Sequence, residues 1–294
     1  MKCKKCNKKA VHLLTGFCKD HFIQYFEKKV YKTIKDYNLV EKKDRVVVAV
    51  SGGKDSLSVL YLLSQKYDVV ALGIDEGIKG YRDDTIVDLK RFCEKYGIEL
   101  KIVSIKDEFG FTLDLVLKKV EDKPCTVCGA IRRYMINKYA RELGATKLAT
   151  GHNLDDEAQS VLMNLFRNQQ EISARLGPIT GIIKDERFIP RIKPLYFLSE
   201  KEVTVYALLM KFGVGFIECP YSVESYRNTI ADLLNDYEQK NPGTKNGIIK
   251  SFLNMLPDLK KKYASDEKPN TCAKCGEPSK QKLCRVCQLL EKVK

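Results

Sequence analysis

No stretch of this 294-residue sequence reaches the run of roughly 18 uncharged apolar residues that a membrane-spanning helix needs. The amino-terminal residues, MKCKKCNKKAVHLL, have no apolar core of the kind a secretory signal carries, so a cytoplasmic protein is expected. Two common nucleotide-binding signatures are missing as well: neither the Walker spacing nor a GxGxxG turn occurs. The chain shows no internal repeat beyond a likeness between its two ends. With 44% apolar and 31% charged residues, it lacks the bias of disordered or fibrous proteins and reads as globular.

Negative charge is what the two ends have little of. Residues 1–45 carry 13 Lys/Arg against 5 Asp/Glu, and residues 260–294 carry 10 against 4. The segment between them holds 29 of each, so the net charge of +14 lies wholly on the ends. Basic ends around a neutral centre suit a large polyanion better than a small acidic metabolite. The plainer reading is a pair of solvated tails. The eleven cysteines weaken that reading, because both ends contain clusters of them. In a cytosolic setting disulfides rarely persist, so metal binding or redox chemistry is the better expectation.

Residues 22–38 place Phe22, Ile23, Phe26, Val30, Ile34 and Tyr37 at helical spacing. From 46 to about 212, strand-like runs (46–50, 68–75, 99–105, 146–151) alternate with helical patterns (55–66, 83–97, 128–144, 154–168). That alternation predicts an α/β, doubly wound, mostly parallel sheet. Sites in such sheets lie beyond the carboxyl ends of the strands, here near Ser51, Asp75 and Gly151. The expected organisation is an amino-terminal metal module with a connecting helix (1–40) and a nucleotide-binding domain (41–220). A polar helical segment (221–265) and a second metal module (266–294) follow, with a linker at 266–270.

The first strand runs into Ser51-Gly52-Gly53-Lys54-Asp55-Ser56 and then a helix. A Gly-Gly turn there lets backbone N–H groups converge on a phosphate at the positive helix end. Lys54 adds charge, and Ser51 and Ser56 add hydroxyls; a merely connecting turn is the bland alternative. Asp75 can meet adenine or ribose, or simply cap a helix. In 151–160, Asp155 and Asp156 can hold Mg²⁺ near phosphates or serve as first-turn dipole partners. His152 fits a local turn better than catalysis.

Ten of the cysteines form three groups. Cys3, Cys6, Cys18 and His21 have the spacing of a tetrahedral structural zinc site, with His12 inside the loop and less suited. Cys272, Cys275, Cys284 and Cys287 form a second complete set. Neither end is apolar enough to fold well unaided, so metal would supply much of its folding free energy. Filling both sites would reduce the charge to about +11. The third group is Cys125-x2-Cys128, with Cys219 far along the chain. Pro124 predicts that Cys125 and Cys128 open a helix, whose amino terminus lowers thiol pKa. Arg132 and Arg133 follow, able to assist thiolates or touch phosphate. Spacing alone leaves this group open between redox chemistry, half a zinc site and buried inert thiols. Cys93 has no partner and reads as packing.

The combination SGGKDS, PCTVCG, GHNLDDEAQ and ECPYS between two zinc modules resembles the PP-loop tRNA thiolation enzymes, of the TtuA type with their wobble-uridine relatives. The SGGKDS turn itself resembles the PP-loop of ATP pyrophosphatases, and the likeness spans nearly the whole chain. It implies ATP, with Mg²⁺, at Ala49, Ser51, Gly52, Gly53, Lys54, Asp55, Ser56, Asp75, Arg132, Gly151 and Asp156. It also implies a [4Fe-4S] cluster on Cys125, Cys128 and Cys219 that leaves one iron open, or a persulfide on the same cysteines. Those cysteines with Lys54 and Asp55 would be the catalytic set. The implied reaction adenylates the C2 oxygen of a tRNA uridine and then inserts sulfur, releasing AMP and pyrophosphate. The implied partners are tRNA and a sulfur donor, either sulfide or a ubiquitin-like thiocarboxylate protein, and a homodimer is expected. The rival readings are another PP-loop chemistry, such as cytidine thiolation or a non-thiolating tRNA modification, and a non-catalytic zinc-bearing tRNA-binding protein.

Overall fold

A computed structural model describes the whole chain except residues 13, 184, 214, 216–218, 222–225, 265–268 and 294. In chain order, α1 (Lys19–Asp36) leads into β1 (Arg45–Val50), α2 (Lys54–Ser64), β2 (Asp68–Asp75) and α3 (Arg82–Tyr96). Then come β3 (Glu99–Ser104), α4 (Ile105–Phe109), α5 (Leu113–Leu117), α6 (Pro124–Glu142), β4 (Lys147–Ala149) and α7 (Leu154–Phe166). After α8 (Gln170–Ser173), β5 (Arg191–Ile192) and α9 (Glu200–Leu209) come α10 (Tyr226–Lys240) and α11 (Thr244–Tyr263). The chain closes with β6 (Asn270–Thr271), β7 (Pro278–Ser279) and α12 (Arg285–Val293).

The five strands from β1 to β5 form one parallel sheet in the order β3-β2-β1-β4-β5. This is the doubly wound arrangement expected from the alternating pattern. A central strand covered on both faces must be apolar throughout, and the run RVVVAV meets that need. Its period of two divides the layers: Val46, Val48 and Val50 enter one core, while Val47 enters the other.

The first core gathers α1, α2, α3 and α9. Phe22, Phe26, Val30 and Ile34, spaced every four residues, form the buried stripe of α1. Phe26 stacks on Tyr206 of α9 with centroids 4.0 Å apart. Cys93 is buried in this core, as its isolation in the sequence suggested. The second core packs α6 beneath the carboxy-terminal cysteines and α12. A third joins α7 to α10 and α11. Both ends of the chain are therefore folded onto the sheet and are not solvated tails.

The stretch 225–260, read from its polarity as one helical segment, is two helices, α10 and α11. Pro242 cannot donate a backbone hydrogen bond, and Gly243 (φ +98°) takes a left-handed conformation that ends the run. The strand expected to end at 105 stops at Ser104, whose hydroxyl accepts the N–H of Lys106 at 3.0 Å and caps α4. The linker at 266–270 lies mostly outside the described residues. No helix among the described residues is long and apolar enough to cross a membrane.

Candidate active site and metal centres

The turn after β1 is shaped by contacts that only glycine permits. Gly52 has φ +88°, and a Cβ there would stand 2.8 Å from the carbonyl oxygen of Thr85. Gly53 then serves as the N-cap of α2, leaving the helix's first N–H groups directed at the space beyond β1. Ser51 Oγ accepts the Gly53 N–H at 3.3 Å, while Ser56 donates to the Gly53 carbonyl at 3.0 Å and accepts the Ser51 N–H at 3.2 Å. Ser56 is buried, so its hydroxyl holds the loop in shape. Ala49 lies one residue from the end of β1, beneath this turn.

Lys54 reaches Asp55 at 3.1 Å and Glu200, at the start of α9, at 3.0 Å. Burial works against its charge, but the two carboxylates more than offset this and raise its pKa. Asp55 also accepts a hydrogen bond from the Asn153 side chain at 2.9 Å. That bond ties the turn to the entry of α7. Gly151 permits the approach, since a Cβ there would stand 2.7 Å from the Ser56 nitrogen.

The two aspartates after Gly151 have separate places. Asp156 forms a capping box with Asn153, accepting its N–H at 3.1 Å. Burial pushes its carboxyl up to about 6, opposed by the Asn153 N–H and Arg227 and reinforced by Asp55. It lies close enough to Asp55 for the two carboxylates to repel each other. Asp155 is buried and turned the other way, ion-paired with Lys245 of α11 and accepting the Glu200 N–H at 2.8 Å. Its part is structural, and it is not available to Mg²⁺. His152 holds a local turn through Thr150 Oγ1 at 2.8 Å. Burial and then Lys193, Arg227, Arg191 and Arg132 push its pKa down to about 3, which makes it a poor base at neutral pH. Asp75, closing β2, accepts the Gly77 N–H at 2.8 Å and shapes the turn there rather than capping a helix.

Cys125 and Cys128 do open a helix, α6, with Pro124 in its first turn. Cys125 is exposed, and its thiol donates to the carbonyl of Tyr221 at 3.7 Å. Tyr221 in turn donates to Asp114 at 2.8 Å, which anchors the segment just after Cys219. Cys128 and Cys219 are half-buried against the second core. The lowering of thiol pKa expected at the helix start is not found for Cys128. Burial pushes Cys128 up to about 11, with Arg132 pulling down, and burial raises Cys219 too. Removing a thiolate from water outweighs the pull of the helix end and the nearby guanidinium.

A charge ladder, buried at Glu76 and Arg82 and open to solvent at Arg132, joins the two halves, and sequence reasoning picks out only Arg132 of the three. Glu76, directly after Asp75, pairs with Arg82 at 2.7 Å and with Arg132 at 3.2 Å. Arg82 also donates to the Ser51 carbonyl at 2.6 Å and the Ile74 carbonyl at 2.8 Å. Arg132 feels Cys128 as well as Glu76, and their negative field keeps its pKa raised against burial. The phosphate turn and the cysteine helix thus share one chain of contacts. The only hint of Glu76 in the sequence was its position at a strand's carboxyl end.

Each cysteine module brings four ligand atoms within 4.8 Å of one another: Cys3, Cys6, Cys18 and His21 in one, Cys272, Cys275, Cys284 and Cys287 in the other. That is the closed geometry of a tetrahedral metal site. His21 Nδ1 stands 3.4 Å from both Cys3 and Cys18. His12 is excluded as expected, buried with Nδ1 3.0 Å from Thr15 Oγ1 and its ring against Phe22. Cys125, Cys128 and Cys219 do not form so tight a set.

Comparison with known proteins agrees with this geometry. The PP-loop domain profile matches residues 23–230. The tRNA-5-methyluridine(54) 2-sulfurtransferase of Pyrococcus horikoshii is 37% identical, across 98% of this chain and 93% of its own. The cytoplasmic tRNA 2-thiolation protein 1 of Oryza sativa subsp. japonica is 39% identical, across 98% and 82%. Among solved structures, the U34-tRNA thiolase NcsA from Methanococcus maripaludis with its [4Fe-4S] cluster superposes with a TM-score of 0.82 at 34% identity, covering 99% of this chain and 96% of that one.

Proposed function

The chain belongs to the PP-loop family of tRNA 2-thiolation proteins, and from that premise we infer that it replaces the C2 oxygen of a tRNA uridine by sulfur in an ATP-dependent reaction. The observation that carries this reading is the Arg82–Glu76–Arg132 ladder, which links the phosphate turn at Ser51 to the cysteine helix at Cys128. A sulfur transferase driven by ATP needs both chemistries in one place. The cytoplasm is the proposed location.

A carbonyl oxygen is a poor leaving group, so activation must precede exchange. The loop N–H groups and Lys54 would bind the triphosphate, with Asp55 and Asp156 facing its Mg²⁺. Lys54 must exchange its Glu200 contact for phosphate as ATP enters. Attack of the uridine oxygen on the α-phosphorus forms a P–O bond and expels pyrophosphate. Replacement of the activated oxygen by sulfur then releases AMP. The uridine must leave its stack to reach these groups.

Cys125, Cys128 and Cys219 would hold the iron–sulfur cluster. The three thiols lie within reach of one another's charge, Cys219 bearing on both Cys125 and Cys128, which supports this reading. The raised pKa values of Cys128 and Cys219 also fit metal-free thiols that need a metal to become thiolates. When bound, the cluster supplies an iron without a protein ligand at which inorganic sulfur can be held. The two end modules would take zinc, and their lysines would grip the tRNA backbone. Sulfide or a ubiquitin-like thiocarboxylate protein would supply the sulfur.

The test is anaerobic purification with iron, acid-labile sulfide and zinc analysis, then incubation with tRNA, ATP and sulfide. AMP, pyrophosphate and 2-thiouridine should appear together. Loss of thiolation in the Cys125→Ala/Cys128→Ala/Cys219→Ala protein is expected, and full activity there would point to another PP-loop chemistry.

A further inference from the structure

Lys193, Arg227, Arg191 and Arg132 all bear on His152, Arg133 bears on Arg191, and three of these five cations have anionic partners. Lys193 pairs with Glu157 at 2.7 Å, Arg132 with Glu76 at 3.2 Å, and Arg227 with Asp156 at 3.7 Å. Arg133 and Arg191 are different. Among the described residues, no hydrogen bond or ion pair reaches either guanidinium.

The fold brings the two together. In the β4–β5 register Arg191 stands opposite Leu148, which belongs to the core beneath α6, while the next residue, Ile192, enters the opposite core. The Arg191 side chain therefore rises on the α6 face of the sheet. Arg133 lies on α6 and folds back over Gly129, its Nη1 only 3.0 Å from where a Cβ would sit. Helical side chains lean toward the amino terminus, here the end bearing Cys125 and Cys128. The charge of Arg133 reaches Arg191: burial and then Arg133 pull Arg191 down to about 10, whereas burial and then Arg132 lower Arg133, with Cys128 opposing. A partly buried Arg191 facing the exposed Arg133, with no counterion on either, leaves a cationic spot that an anion would relieve.

We propose that Arg133 and Arg191 form a seat for a phosphate group, filled by a phosphodiester of the substrate RNA beside the target nucleotide. A guanidinium pair matches phosphate oxygens in charge and in bidentate geometry. Its place in the fold favours RNA over ATP as the source. Arg191 lies two strands from β1, about 10 Å across the sheet, on the side away from β2 and Asp75. The phosphate turn has its own donors, whereas Arg133 lies on the cysteine helix itself, after Cys128. A flipped uridine needs its backbone held while its base reaches inward.

The inference rests on the proposed RNA-modifying function, and the experiment separates the two. Binding of an unmodified tRNA transcript is measured by anisotropy over a range of salt for the wild type, Arg133→Gln, Arg191→Gln and Arg191→Lys. Binding of a non-hydrolysable ATP analogue is measured by calorimetry on the same proteins. Each glutamine variant should bind tRNA about tenfold more weakly, with the salt slope reduced by about 1. Arg191→Lys should recover part of the loss, and thermal midpoints check folding. ATP affinity should stay the same. Weakened ATP binding with unchanged tRNA binding overturns the assignment to RNA, and no change in either overturns the seat. A wild type that binds no tRNA overturns the functional reading along with it.

Discussion

Glu76 carries more of the site's architecture than its neighbour Asp75, although Asp75 is the residue a reader of the sequence would choose. Its side chain is only 6% exposed, and it balances two arginines from different elements. Removing one partner of a buried ion pair leaves the other without compensation and typically costs about 3–5 kcal/mol. Glu76→Ala is expected to lose about 3 kcal/mol in urea unfolding, since Arg82 retains its two carbonyl acceptors. Glu76→Gln preserves the shape and should lose less, yet it frees Arg132 from its anchor. A loss below about 1 kcal/mol in the alanine variant would mean that the ladder is not a structural link. His152 shows the opposite case, a conspicuous residue in the motif that desolvation and then nearby cations keep neutral and whose side chain serves a local turn.

At the scale of elements, the nucleotide site depends on how closely the turn before α7 approaches the turn before α2. Gly151 sets that distance. In Gly151→Ala the added methyl would meet the Ser56 nitrogen at 2.7 Å and the Asp55 carbonyl carbon at 2.8 Å, both backbone atoms that cannot rotate away. Overpacking of this kind costs about 1–3 kcal/mol, and the strain falls between two phosphate-facing segments. ATP affinity should therefore drop at least tenfold by calorimetry, while a circular dichroism spectrum still shows the folded protein. Unchanged affinity would show that the two turns can part without harm to the site. The need for glycine at this point was visible in the sequence only as a motif, and the structure supplies its cause. Other features were legible outright: β-branched runs marked β1 and β2, and Pro124 marked the start of α6. What escaped was set by tertiary contact. β5 is two residues long, too short for periodicity to register, yet it places Arg191. Asp155 and Asp156 are chemically identical in sequence and were separated only by Lys245, ninety positions away.

At the scale of the whole molecule, the carboxy-terminal cysteine module shares a core with the sheet domain. Cys272, Cys284, Val286, Cys287 and Leu289 pack in one cluster with Val127, Ile131 and Met135 of α6, the helix that presents Cys125 and Cys128. Polar contacts reinforce the junction: Arg285 with Asp122 at 2.5 Å, Lys119 with the Val293 carbonyl at 2.5 Å, and Arg141 with Glu277. A module held only by its metal would unfold by itself when the metal left. One whose apolar residues complete another element's core transmits the loss. Cys272→Ser/Cys275→Ser should therefore lower the main calorimetric unfolding transition by several degrees and bind about one zinc fewer per chain. Because α6 loses part of its cover, iron incorporation during anaerobic reconstitution should fall as well, although neither substituted residue belongs to the Cys125/Cys128/Cys219 set. A separate small transition below an unshifted main one, with iron content intact, would show instead that the module is an independent attachment and that its contacts with α6 are incidental to the sulfur site.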